Sequence, residues 1–161
     1  MSEELAKEII DNFSNTGVSY TSKYRMYIQT PKEELFRLLE YLKDNGFNYL
    51  VMITCVDWIN ENEFELVYQV GNFNTPLRII IQVRIPRNNP TYKSIIPIFK
   101  NATDYEREIH ELFGIVFDGN PKLTPLFLED WQKFHPFKKD FDSREYVKVT
   151  FDSIPTLEEY K

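Results

Sequence analysis

One cysteine, two histidines and five glycines among 161 residues limit the chemistry this chain can carry. The lone Cys55 lies in the apolar run YLVMITCVDW. It cannot close an intramolecular disulfide, and it falls far short of the thiolates that hold an iron–sulfur cluster. Its expected state is a buried, inert thiol. The glycines, at 17, 46, 71, 114 and 119, never gather into a phosphate-cradling loop, so a nucleotide cofactor has no evident seat. No Gly-x-Ser-x-Gly elbow is present, and neither histidine lies near Cys55 in sequence, which leaves nucleophilic catalysis without its usual parts. Cations are outnumbered as well, 19 Lys and Arg against 25 Asp and Glu, and they do not cluster as phosphate neutralisation requires. Nucleic acid is not an expected partner. Apolar runs stop short of the roughly 18 to 20 residues that cross a bilayer, and the opening MSEELAKEII is acidic and amphipathic. A soluble, cytoplasmic, unexported protein is expected.

What the chain does have is core-building material, with 42% hydrophobic and 16% aromatic residues. Ser2 as N-cap, Glu3 and Glu4 in the first turn, then Leu5, Ile9, Ile10 and Phe13 at helical spacing predict a first helix ending near Phe13. Residues 18–29 (VSYTSKYRMYIQ) read as one strand. Thr30, Pro31 and Glu33 read as a capping box opening a helix with Leu35, Phe36, Leu38, Leu39 and Leu42 on its apolar face and Gly46 as its stop. Three β-like runs follow, at 49–58, 64–73 and 77–86, with turns short enough for antiparallel hairpins. The expected fold class is α+β: a four-stranded mixed sheet with helices packed on one face. Further helices are predicted at 92–99 and 104–113, the second with a box of Thr103 and Glu106 and a stop at Gly114. From Phe117 onward Pro121, Pro125, Pro136 and Pro155 break a mixed-charge stretch rich in aromatics. The expected division is therefore a sheet domain, 1–117, and an extended partner-binding tail, 118–161, whose end from Ser143 should be mobile.

The densest charge cluster, Glu106-Arg107-Glu108-Ile109-His110-Glu111, lacks the paired histidines of a zinc protease helix and the paired Glu-x-x-His of a di-iron bundle. One reading is a solvated face in which Arg107 pairs with Glu111 at i,i+4. The other is a helix held to a partner by charge-assisted hydrogen bonds. Charge alone does not choose. Asp57 and Trp58 read as a strand exit with an amphipathic ring at its rim.

Residues 105–141, YEREIHELFGIVFDGNPKLTPLFLEDWQKFHPFKKDF, resemble the signature region of the complex I C (30 kDa) subunit family. Glu106, Arg107 and Glu108 match its Glu-Arg-Glu helix, and Leu112, Phe113, Gly114, Ile115, Phe117, Gly119 and Pro121 match the stretch beyond that helix. His135, Pro136, Lys139 and Asp140 match in register, and the earlier strand-like runs extend the similarity to about 30–145. The departures are Asp104 for a Trp, Glu111 for an Asp, Asn120 for a His, Thr124 and Pro125 for a basic pair, and Phe137-Lys138 for Leu-Arg. Lys does not reproduce the fork of Arg.

The resemblance implies a scaffold subunit with no redox group, cofactor or catalytic residue of its own. It implies packing against the large D (49 kDa) type subunit, near the iron–sulfur B-type subunit, in the peripheral arm of a respiratory NADH:quinone oxidoreductase. Membrane association would come only through the complex, on its cytoplasmic face. The equivalent subunit of a membrane-bound nickel–iron hydrogenase is the alternative. The residues this implies at the partner interface are Glu106, Arg107, Glu108, Glu111, Phe113, Asp130, Trp131, His135, Lys138, Lys139 and Asp140.

Overall fold

A computed structural model describes residues 2–129 and 134–150. It is a mixed α+β fold, with helices α1 (Ser2–Asn12), α2 (Leu35–Asp44), α3 (Ala102–Phe113) and α4 (Ser143–Thr150). Strands β1 (Gly17–Ser22), β2 (Arg25–Gln29), β3 (Tyr49–Trp58), β4 (Glu63–Gly71) and β5 (Arg78–Pro86) form a sheet in the order β1-β2-β5-β4-β3. β2 runs parallel to β5, and the other neighbours are antiparallel. The sheet thus has five strands where the sequence suggested four. The run 18–29 folds back on itself at Lys23 and Tyr24, setting Val18 opposite Ile28. Met26 and Ile28 after the turn are fully buried, and Val18 before it packs half-buried against the same core, so the two limbs feed one face as separate paired strands.

Alternation elsewhere decides which face is covered. Phe64, Leu66, Tyr68 and Val70 on β4 are fully buried opposite Ile85, Val83, Ile81 and Ile79 on β5, and Leu35, Leu38, Leu39 and Leu42 of α2 are buried in the same core. On the other face Val67, Gln69, Ile80, Gln82 and Arg84 are half-buried and Met52, Val56 and Trp58 exposed. Arg84 lies 4.5 Å over the Trp58 ring. The helices α1 and α2 meet through Phe13 and Tyr41, 5.4 Å apart edge to face.

Neither capping box forms. The helix α2 starts at Leu35 with no side-chain cap, and the Thr30 hydroxyl pairs instead with Thr16, at 3.0 Å. In α3 the Thr103 hydroxyl turns back to the Lys100 carbonyl, and Glu106 points into the interior. Both predicted stops are present, however: Gly46 and Gly114 have φ of +88° and +78°. The helix expected at 92–99 is absent. Pro90 and Pro97 leave room for only a single turn, in which the Phe99 N–H donates to the Ile95 carbonyl. Tyr92 lies instead in β6 (Thr91–Lys93), which pairs in parallel with β7 (Val116–Asp118). The helix α3 runs beside β3. At its start Tyr105 and Asn101 donate to the carbonyls of Val51 and Leu50, and at its end Phe113 meets Phe64 edge to face.

Candidate functional surface on helix α3

Helix α3 acts as a spine along which the C-terminal segment is laid. Glu106 shares the apolar stripe of Ala102, Ile109 and Phe113 and is completely buried. Its carboxylate accepts from the Ser94 hydroxyl (2.8 Å), the Ile95 N–H (2.8 Å) and the Asn120 amide (3.0 Å). Burial pushes this carboxyl above its ordinary value, and the three donors pull it partly back. Asn120 also donates to the Thr103 carbonyl, so the residue that replaces the family histidine ties the start of the segment to the spine.

One turn on, Arg107 and Glu111 make no direct ion pair with each other. Arg107 donates from Nε to the Thr124 carbonyl at 2.7 Å and from Nη2 to the Pro125 carbonyl. The Glu111 carboxylate accepts the N–H groups of Leu126, Phe127 and Leu128 at 2.8 to 3.2 Å. Desolvation raises this carboxyl, but the three N–H donors and the nearby Arg107 outweigh it and hold the group below 4.5. The solvated-face reading is thereby corrected: the i,i+4 spacing serves a shared loop.

The last carbonyls of α3 lack intrahelical donors, as at any helix end, and here the segment helps supply them. His135 Nδ1 lies 2.8 Å from the Glu111 carbonyl, and the Phe137 N–H donates to Leu112 at 3.1 Å. A side chain at Gly114 would strike the His135 ring, its Cβ lying 2.7 Å from Cδ2, so glycine serves there for close approach as well as for its left-handed turn. Phe137 then packs edge to face on Phe113.

Asp57 is more than a strand exit. It occupies an inward position in phase with Ile53 and Cys55 and is buried. Arg87 grips it with two bonds, Nε at 2.9 Å and Nη2 at 3.2 Å, and reaches Asp140 at 2.6 Å. The Lys139 N–H donates to Asp57 at 2.8 Å. Hydrogen bonding by Arg87 holds Asp140 below its ordinary value, and burial pushes the Cys55 thiol far up, so it stays protonated and inert. Beyond this clamp, α4 begins where Asp142 accepts the N–H groups of Arg144 and Glu145. Tyr146 lies 4.3 Å from Phe134, which stacks on Phe141. Residues 143–150 are helical, and the rest of the stretch from Ser143 that the sequence reads as mobile lies outside the described residues.

Of the residues singled out in sequence, Glu106, Arg107, Glu111, Phe113, His135 and Asp140 come together around α3 and the segment. Glu106 is internal, Glu108 and Lys138 are half-buried, and Lys139 is exposed. Asp130, Trp131 and the chain after Thr150 lie outside the described residues. Arg87, at the far end, was not among them, and Asp57 reads in the sequence only as a strand exit. A cavity of about 200 Å³ between α3 and the segment is lined by His110, Glu111, Leu123, Pro125, Leu128, Phe134 and His135. Among the described residues, no three His, Cys, Asp or Glu side chains group so as to hold a metal ion. No helix among them is long and apolar enough to cross a membrane.

Residues 28–147 match the family described as respiratory-chain NADH dehydrogenase, 30 Kd subunit. The chain belongs to this family. It is 32% identical over 142 residues to the C subunit of F(420)H(2) dehydrogenase from Methanosarcina mazei, covering 87% of this chain and 89% of the relative. The C/D subunit of NADH-quinone oxidoreductase from Bdellovibrio bacteriovorus is 29% identical over 130 residues, or 80% of this chain and 23% of that longer protein. Among solved structures, a chain of the membrane-bound sulfane sulfur reductase, an archaeal respiratory membrane complex, superposes with a TM-score of 0.88 at 30% identity. That match covers 96% of this chain and 93% of the other.

Proposed function

We propose that this protein is a scaffold subunit, without a redox group of its own, in the peripheral arm of a complex I-type oxidoreductase on the cytoplasmic face of a membrane. Its task is to dock the large D (49 kDa) type subunit, beside the iron–sulfur B-type subunit. The observation that carries this reading is the use of charge along α3. Arg107, Glu111 and the Asp57–Arg87–Asp140 cluster are engaged in ordering the stretches 124–128 and 135–140, which leaves Leu126, Phe127 and Phe137 exposed. A surface ordered before its partner arrives loses less conformational entropy on association. Residues 118–161 serve as the partner-binding segment and 1–117 as the body that positions it, with Glu108, Lys138 and Lys139 available to the partner. The fused C/D relative supports the choice of the D-type subunit, because a covalent link is useful when two units already work side by side.

A second reading, a subunit of an energy-converting complex such as a membrane-bound nickel–iron hydrogenase, is favoured by one observation. The near full-length structural likeness is to a chain of a complex named for sulfane sulfur rather than for NADH or quinone. Purification of the native complex through a tag on this chain separates the readings. A D-type and a B-type subunit are expected at equal stoichiometry. Two Cys-x-x-Cys pairs in the large subunit would select the hydrogenase context, and their absence the quinone-reducing one. Recovery of the chain alone, or a stoichiometric flavin or metal in the isolated chain, would overturn the scaffold role.

A further inference from the structure

Phe127 is 68% exposed and Leu126 38% exposed, yet they sit on the most closely held stretch of the C-terminal segment. Two side chains one turn apart on α3 fix the main chain of five consecutive residues. Arg107 takes the carbonyls of Thr124 and Pro125, and Glu111 takes the N–H groups of Leu126, Phe127 and Leu128. Ordering a loop costs conformational entropy, and among the described residues the ring that this loop holds up remains largely uncovered. The run Leu123-Thr124-Pro125-Leu126-Phe127-Leu128 also carries no charge, although charged residues flank it at Lys122 and Glu129. An uncharged centre with a polar rim is the composition of an interface core, and rigidly held aromatics are its usual anchors.

Resting on the docking reading above, we propose that Leu126 and Phe127 are a preformed anchor that inserts into an apolar pocket of the large D-type subunit, with Phe127 at its centre. The fused C/D relative supports that subunit as the occupant. A lipid surface is the weaker alternative, since the net charge of -6 opposes approach to anionic headgroups.

The test measures binding of the full-length chain to the D-type subunit of the same organism, with vesicles of phosphatidylcholine and phosphatidylglycerol in parallel. Phe127→Ala should weaken binding to the D-type subunit by about tenfold or more with an unchanged melting temperature. Phe127→Tyr should restore it, and Glu111→Gln, which keeps the ring but loosens the loop, should fall between. If the wild-type chain binds and Phe127→Ala stays within about twofold of it, the anchor is refuted and docking stands. If the wild-type chain does not bind, the docking reading fails and the anchor with it. Phe127-dependent binding to vesicles, with none to the subunit, would likewise overturn the proposal.

Discussion

Residues 17–118 are ordered by burial of apolar side chains, with Phe64, Leu66, Val70, Ile79 and Ile81 all fully enclosed. The segment beyond them, in its described stretches 119–129 and 134–150, is ordered differently. Its main chain is gripped by Arg107, Glu111 and Asp57 reaching out from the body, while Leu126, Phe127, Phe137 and Val149 remain in contact with water. Apolar burial is non-directional and hard to undo piecemeal. Polar ties are directional, respond to pH, and can be cut singly. The two regions should therefore come apart under different insults, the segment first and the body later.

The largest effects come from cutting each region at its strongest point. Leu66→Ala removes a fully buried side chain between Cys55 and Val83, and should cost about 3 kcal/mol or more of global stability. Arg87→Ala leaves the Asp57 carboxylate, 1% exposed, with only the Lys139 N–H. A fully sealed pair broken in this way costs roughly 3 to 5 kcal/mol. Here about 2 kcal/mol is expected, because the freed segment lets water reach Asp57. Hydrogen exchange distinguishes the variants: Leu66→Ala should lower protection throughout the sheet, and Arg87→Ala chiefly at the Phe137 and Lys139 amides. Equal loss in both regions for Arg87→Ala would abolish the distinction.

A smaller effect should come from acid. Glu111 and Asp140 have carboxyls held below their ordinary values of 4.5 and 3.8. Groups depressed in the folded state stabilise it above the unfolded value, and that contribution is lost as pH falls through the folded one. Glu106 has the opposite sign. Burial raises its carboxyl, so its stabilising form is the protonated one, and stability is lost as pH rises through the raised value. Acidification thus releases the segment while relieving strain in the body. Below about pH 4, amide protection at Leu126, Phe127 and Leu128 should fall, after correction for intrinsic exchange rates, while the β4 amides keep theirs. Simultaneous loss from both regions would contradict the comparison.

The same contrast explains what was legible in the sequence. Apolar periodicity reported α1, α2, α3 and strands β3 to β5, because those elements are held by the burial that periodicity records. It missed the turn inside 18–29, where the break is only Lys23 and Tyr24. It also misread Thr30 and Thr103, whose hydroxyls found partners other than the helix ends. The polar ties were hardest to see, since bonds between a side chain and a distant main chain leave no local pattern. A signal did exist at Glu106 and Asp57, carboxylates in phase with apolar neighbours on a helix stripe and a strand face. A charge at an inward position calls for a buried partner, and Ser94, Asn120 and Arg87 are those partners. The Arg107 and Glu111 loop had no such mark. The signature resemblance pointed to the helix, and only the fold revealed what the helix holds.

The smallest expected effect tests whether the body is as purely apolar in its design as this contrast assumes. The Tyr68 side chain is fully buried on β4, and its hydroxyl has no hydrogen-bond partner among the described residues. Desolvation, with Tyr92 and Glu106 nearby, pushes its phenol well above 10, so it is neutral at any working pH. A buried hydroxyl left without a partner costs about 1 to 3 kcal/mol, whereas the ring that carries it contributes as any core aromatic does. Tyr68→Phe keeps the ring and removes only the oxygen. Chemical denaturation should accordingly find the variant between unchanged and about 1 kcal/mol more stable than wild type, against the usual direction for core substitutions. A loss of more than about 1 kcal/mol would mean that the hydroxyl is satisfied through a buried water. The body would then depend on a directional polar contact in the middle of its sheet, and the line drawn between the two regions would blur at that point.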